Sequence, residues 1–239
     1  MKRIIFLFFL IIYLFSCNNY PKKDHQKVFF IIGNANGLID NTKVFLKKQE
    51  NKTIILLDST QIKNGNFTFN GIIDKPSVYG ININNIKGQI GLFLKNDTIT
   101  ININKDSLSD SKITGSKLND QYLNYIKSVN QIISKTNLLY PIFQKARAEN
   151  DVEKLNEINK KMQAINAEKT TFALNYAKKH PESYIAAFAL HSVLNDNSIP
   201  KDSVQSIYNR FSNEVKEGDF AIEISIYLEN KSILDTIIN

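Results

Sequence analysis

DTITININKDSLSDSKITGSKLNDQYLNY, residues 97–125, is where the chain changes its period. In the first half Ile99, Ile101 and Ile103 alternate with Thr98, Thr100, Asn102 and Asn104, the period of a half-buried strand. From Gly115-Ser116 onward a mostly apolar series falls instead at Leu118, Tyr122, Tyr125, Val129, Ile132, Thr136, Leu139 and Phe143, alternately four and three apart. That is the stripe of an amphipathic helix. One stretch therefore holds the boundary between a β region and a helical region, and the chain reads as α+β.

Toward the N-terminus the period of two continues. Val44 and Leu46, Phe67 and Phe69, and Tyr79, Ile81 and Ile83 repeat it. Asn64-Gly65 stands between two such runs, and Asn-Gly favours a two-residue hairpin because both positions accept positive φ. Asn36-Gly37, Asp74-Lys75-Pro76 and Asn96-Asp97 mark further turns. The pattern predicts strands at 27–33, 42–48, 53–62, 66–73, 77–83, 89–94 and 97–104, with no helix-length segment between them. Residues 27–114 are expected to form an antiparallel β-sandwich or open barrel.

Toward the C-terminus, residues 115–239 read as helical. Leu155, Ile158, Met162, Ile165, Lys169, Phe172 and Tyr176 carry a second heptad stripe. Two long helices joined near Asn150 predict a helical hairpin. Asn150 with Glu153 has the spacing of a capping box, and Pro141 is expected to kink or break the first helix near Asn137. His180-Pro181 should stop the second helix. Ser183 should cap a short apolar one, and Pro200 should precede a helix over 202–214. Residues 219–237 read as a final helix.

The first 17 residues have the design of an export signal. Lys2 and Arg3 precede an unbroken apolar run from Ile4 to Phe15. Twelve helical residues span about 18 Å, short of the ~30 Å hydrocarbon core, which favours a signal peptide over a permanent span. The run ends in Leu14-Phe15-Ser16-Cys17, similar to a bacterial lipobox, in which the cysteine thiol carries a diacylglycerol. An ordinary signal peptide with an incidental cysteine is the other reading. Cys17 is the expected lipid attachment site. Asn18 rather than Asp follows it, which points to the outer membrane, facing the periplasm. Residues 18–26 are polar and read as a tether.

Composition narrows the chemistry. The 239 residues are 43% apolar and 22% charged, with a formal charge of +7 carried by 27 Lys and 3 Arg. The lysines are spread without Arg–aromatic clusters, which with the export signal disfavours nucleic acid as a partner. One cysteine allows no intrachain disulfide, no Cys-x-x-Cys pair and no thiolate zinc site. No P-loop, G-x-S-x-G, H-E-x-x-H or G-x-G-x-x-G motif occurs.

Residues 27–125 also carry a set of motifs: Gly33 with Gly37, TKVFLKK at 42–48, Leu57-Asp58-Ser59-Thr60, Asn64-Gly65-Asn66-Phe67-Thr68-Phe69-Asn70-Gly71, and Lys75-Pro76 with Tyr79. Leu92-Phe93-Leu94, Asp97-Thr98-Ile99-Thr100-Ile101 and Thr114-Gly115-Ser116-Lys117-Leu118-Asn119 complete it. The set resembles the N-terminal domain of unknown function 4369 of lipid-anchored, thioredoxin-like, peroxiredoxin-related thiol–disulfide oxidoreductases. Pro181-Glu182-Ser183-Tyr184 and AAFAL at 186–190 are similar to the linker region of that family. In those relatives a thioredoxin domain with a Trp-Cys-x-x-Cys site follows. This sequence has no Trp and no Cys after Cys17, so the resemblance transfers no catalytic residue.

The remaining candidates each have a bland reading. His180 before Pro181 fits a helix C-terminus, and His191 fits an apolar helix. Asp106, Asp110 and Asp120 group loosely at the domain junction and read as loop and cap residues. The Asp-Ser/Thr pairs at Asp58, Asp97, Asp106, Asp202 and Asp235 resemble an O-glycosylation signal of some bacterial envelopes, or simply begin strands and helices. No cofactor, metal or catalytic residue is expected. The leading functional expectation is a non-catalytic, membrane-tethered protein-binding or scaffold module, with a separately encoded thioredoxin-like protein as a possible partner. The alternatives are a small-molecule-binding protein or hydrolase with a site at the β/helix junction, or a split oxidoreductase subunit.

Overall fold

A computed structural model describes residues 28–50 and 53–238. The expected signal peptide at 1–17, Cys17 and the tether at 18–26 lie outside the described residues. Eight strands come first: β1 (Phe29–Asn34), β2 (Lys43–Glu50), β3 (Thr53–Gln61), β4 (Asn66–Gly71), β5 (Ser77–Ile83), β6 (Ile90–Leu94), β7 (Thr98–Asn102) and β8 (Lys112–Thr114). Six helices follow: α1 (Lys117–Ala148), α2 (Val152–Lys179), α3 (Tyr184–His191), α4 (Lys201–Asn209), α5 (Asn213–Lys216) and α6 (Asp219–Ile238). The α+β reading holds.

The strands form two four-stranded sheets, ordered β4-β1-β7-β8 and β3-β2-β5-β6, with no closed barrel. Alternation in the sequence becomes alternation in burial. Phe29, Ile31, Phe67, Phe69, Ile99 and Ile101 of one sheet meet Val44, Leu46, Tyr79, Ile81, Leu92 and Leu94 of the other in a single β core. Two features depart from the sequence expectation. β1 and β7 pair in parallel, Phe30 with Thr98 through Asn34 with Asn102, so the sheets are not wholly antiparallel. β8 adds a short strand beyond the seven expected. Asn64 and Gly65 both take positive φ, 51° and 70°, as the Asn-Gly pair requires. Yet the turn does not make a hairpin within one sheet: it is closed by a lone Lys63–Asn66 bridge, after which β4 joins β1 and leaves β3 with β2.

α1 and α2 form the expected hairpin, reversing at Asn150 with φ 53°. Leu118, Tyr122, Tyr125, Ile132 and Leu139 of the first stripe are buried. Pro141 lies inside α1, which runs on to Ala148. The carbonyl that Pro141 deprives of a donor belongs to exposed Asn137, where water can bond it, so the break does not occur. The cap of α2 is Asp151, whose carboxylate accepts from Lys154 N at 2.9 Å, one residue later than the capping box expected at Asn150. α2 ends at Lys179, and Ser183 caps α3 by accepting from Ile185 N at 3.2 Å. Apolar α3 is the centre of the helical core; Ile185, Ala186, Ala187, Ala189 and Leu190 are buried. The helix expected over 202–214 is split into α4 and α5, because buried Phe211 turns inward and Ser212 caps a new helix at Val215 N.

Candidate functional site

The β core and the helical core meet at β6. Its Phe93 side chain leaves the sandwich and packs among Tyr122, Phe188 and Phe220, with ring centroids 5.8, 6.5 and 6.2 Å away. β6 is an edge strand, so its outward amides need other partners. Phe93 N donates to Asn119 Oδ1 at 2.9 Å, and Asn119 is fully buried on the first turn of α1. Ser116 caps that turn, accepting from Asn119 N at 3.3 Å and donating its hydroxyl to Asp97 Oδ2 at 2.6 Å. Burial pushes the Asp97 carboxyl above its usual range, against the Ser116 hydrogen bond and the charge of Lys95. Asp97 Oδ1 and Asn119 Nδ2, an acceptor and a donor, are buried without protein partners. Gly115 brings the chain through at φ 101°; a Cβ there would sit 2.7 Å from Thr98 O. This cluster contains most of the charge-bearing and turn-forming positions of the 92–119 motifs. Its geometry is that of a latch between strand and helix, the Ser116 hydroxyl being engaged by the helix cap and by Asp97.

Two adjoining clefts open on the other side of the junction, sharing Asp74 and Lys75. One, of about 350 Å³, is completed by Pro76, Tyr184, Glu217 and Ile222. The other, of about 320 Å³, is completed by Lys48, Leu57, Ile72, Ile73, Tyr79 and Asp219. Lys48 Nζ reaches Asp219 at 2.6 Å and ties β2 to the start of α6. Asp74 and Glu217 are exposed, so neither cleft gathers several buried carboxylates. Burial and the neighbouring Glu214 carboxylate push the Tyr184 hydroxyl up to about 12.

β3 is the most unusual surface. Among the described residues it pairs with β2 alone, and Ile54, Ile55, Leu56 and Leu57 are exposed one after another, Ile54 by 69%. The strand is also bulged. Leu46 faces Asp58 but Lys47 faces Leu56, so Leu57 is the extra residue and the strand is re-aimed past it. A second set of exposed apolar side chains, Ile133, Leu138, Tyr140, Ile142 and Val152, marks the far end of the helical hairpin.

The residues singled out in the sequence stay apart from these features. His180 is the exposed C-cap of α2, its ring 4.4 Å from that of Tyr176. His191 ends α3, bonded to Glu223 at 2.6 Å and lying against Phe220. Asp106 is in a loop, Asp110 closes a 3-10 turn and Asp120 lies in the first turn of α1, all three exposed. Among the described residues no three His, Cys, Asp or Glu side chains converge on a metal position. The Asp-Ser/Thr pairs stand in or beside strands and helix starts, apart from Asp235, whose side chain is outside the described residues. Asn119 escaped sequence reading because it sits beside Leu118 of the stripe, where a polar residue suggests the solvent side. No helix among the described residues is long and apolar enough to cross a membrane.

A comparison with curated proteins returns no match. The family comparison covers the sandwich and continues past β8 into the first turns of α1, taking in Ser116, Asn119 and Tyr122. The strands and the latch that closes their edge are thus matched together: residues 29–122 match a family described as a domain of unknown function, DUF4369.

Proposed function

We propose that this protein is a non-catalytic, lipid-anchored envelope module that binds another protein along the free edge of β3. The carrying observation is that edge, with four consecutive exposed apolar residues and strand pairing on one side only. Folded proteins blunt or cover such edges because they invite pairing. A row of unpaired amides and carbonyls is satisfied by one kind of ligand, an extended strand, while apolar side chains on both faces add contact area. The anchor is supported by the Leu14–Cys17 motif, and the outer membrane by Asn18. The family resemblance makes a separately encoded thioredoxin-like protein the first partner to test, which would make this chain the non-catalytic part of a split oxidoreductase.

The test places a photoactivatable residue at Leu56 in the native cell and identifies the adduct by mass spectrometry. The partner found is then purified and titrated against the purified protein. Saturable binding that falls at least tenfold with Ile54→Lys or Leu56→Lys supports the reading. Binding unchanged by both substitutions refutes the edge as the site, and thiol–disulfide turnover by the purified protein alone refutes the non-catalytic role. The alternative, a small-molecule or hydrolase site, rests on the paired clefts around Asp74 and Lys75. It would be favoured by a metabolite that protects Lys75 from acylation.

A further inference from the structure

Among the described residues nothing covers the outer face of the β4-β1-β7-β8 sheet, which carries an unusual set of side chains. From the registers it consists of Phe30, Ile32 and Asn34 on β1, Asn66, Thr68 and Asn70 on β4, Thr98, Thr100 and Asn102 on β7, and Lys112 and Thr114 on β8. There is no carboxylate among them, and the single charge is a lysine. The apolar side chains are gathered where β1 begins: Phe30 is 46% exposed, Ile32 44% and Val28 36%. Continuing the β1–β4 register by one residue at each end sets Ile72, also 46% exposed, opposite Val28.

We propose that this face rests on the lipid surface that holds the anchor, an inference that depends on Cys17 being acylated. Three observations choose lipid as the occupant. Cys17 stands eleven positions before Val28, so the acyl chains lie within ~40 Å of the apolar cluster along even a fully extended backbone. The cluster sits at the end of the sheet that receives this segment. Finally, a face of hydroxyls, amides and one lysine meets anionic headgroups without burying an unpaired carboxylate. Phe30, Ile32, Val28 and Ile72 then enter the headgroup–acyl boundary, and the anchored domain takes one orientation. Ile72 also lines the cleft that Lys48 and Leu57 share, so that cleft borders the docked face.

The chain has no tryptophan, so Phe30→Trp and Leu138→Trp each provide a single fluorophore, the second at the far end of the hairpin. The full lipidated protein is reconstituted in phosphatidylethanolamine–phosphatidylglycerol vesicles with brominated acyl chains. The expected result is blue-shifted emission and at least threefold stronger quenching for Phe30→Trp than for Leu138→Trp. Carbene footprinting of the unsubstituted protein gives the same readout without a variant: labelling of Phe30 and Ile32 should fall severalfold on vesicles. Protein that sediments with vesicles but shows neither change overturns the docking and leaves the anchor standing. Protein that fails to sediment removes the anchor and the docking with it. A blue shift without lipid that grows with protein concentration assigns the face to a second copy and overturns the proposal.

Discussion

Replacing Asn119 by Ala removes the one acceptor that Phe93 N has on the outer side of edge strand β6. The wild-type bond is 2.9 Å long and Asn119 is completely buried, so no water replaces the lost oxygen without rearrangement. An orphaned buried amide costs about 1–3 kcal/mol, and the vacated side-chain volume adds to this. Against it, Asn119 Nδ2 is itself buried without a protein partner, and Ala removes that cost. The balance is about 2 kcal/mol of destabilisation, or about 4–8 °C in Tm for a chain of this size. Urea titration followed by circular dichroism measures it. Asn119→Asp separates the hydrogen bond from the amide: it retains the accepting oxygen but places a second carboxyl beside the Asp97–Ser116 pair. Its cost should exceed that of Ala at pH 7 and shrink below pH 5 as the buried carboxyl is protonated. A loss under about 0.5 kcal/mol for Ala, or a pH-independent cost for Asp, would show that the junction is held by its aromatic packing alone.

Asp97→Asn tests the same cluster from the carboxylate side. Burial raises the folded-state pKa of Asp97, so ionisation penalises the folded protein. That penalty is absent below the unfolded pKa and fully present above the folded one. The neutral amide introduced by Asp97→Asn is therefore worth more at pH 7 than at pH 3.5, as paired urea melts should show. Gly115→Ala forces a side chain into φ 101° and against Thr98 O, and should lose about 1–3 kcal/mol in the same assay. Cys17→Ala should abolish incorporation of labelled palmitate and retention in the membrane fraction; label in that variant would remove the lipoprotein reading.

The β region was legible because one face of each strand is buried, and burial writes itself into the sequence as alternation. Phe67 and Phe69, or Ile99 and Ile101, need no further context. The parallel union of β1 with β7 was not legible, since nothing local to either strand records a partner 68 positions away, as Phe30 is from Thr98. The hairpin of α1 and α2 was written in heptads, but its cap was misplaced by one residue, because Asn150 and Asp151 are both good capping types and Asn150 is used for the reversal. Pro141 misled because its effect depends on whether solvent reaches the Asn137 carbonyl. The clefts were foreseen only as a location, since residues as distant as Lys48 and Asp219 meet there by tertiary packing. The exposed run Ile54–Leu57 looked like an ordinary strand; it is the departure of β4 to the other sheet that leaves β3 at an edge.

The β1–β7 pairing also sets the order in which the fold can close. β2, β3, β5 and β6 meet mostly through near neighbours in the chain, so their sheet can assemble from local contacts. β1 occupies an interior position of the other sheet, between β4 and β7, and its last neighbour is synthesised long after it. Contacts of such sequence separation carry a loop-closure cost and slow folding. The segment next to the N-terminus is therefore among the last to be fixed on both sides. β1 thus has one open side until β7 arrives, and the interior of its sheet closes only then.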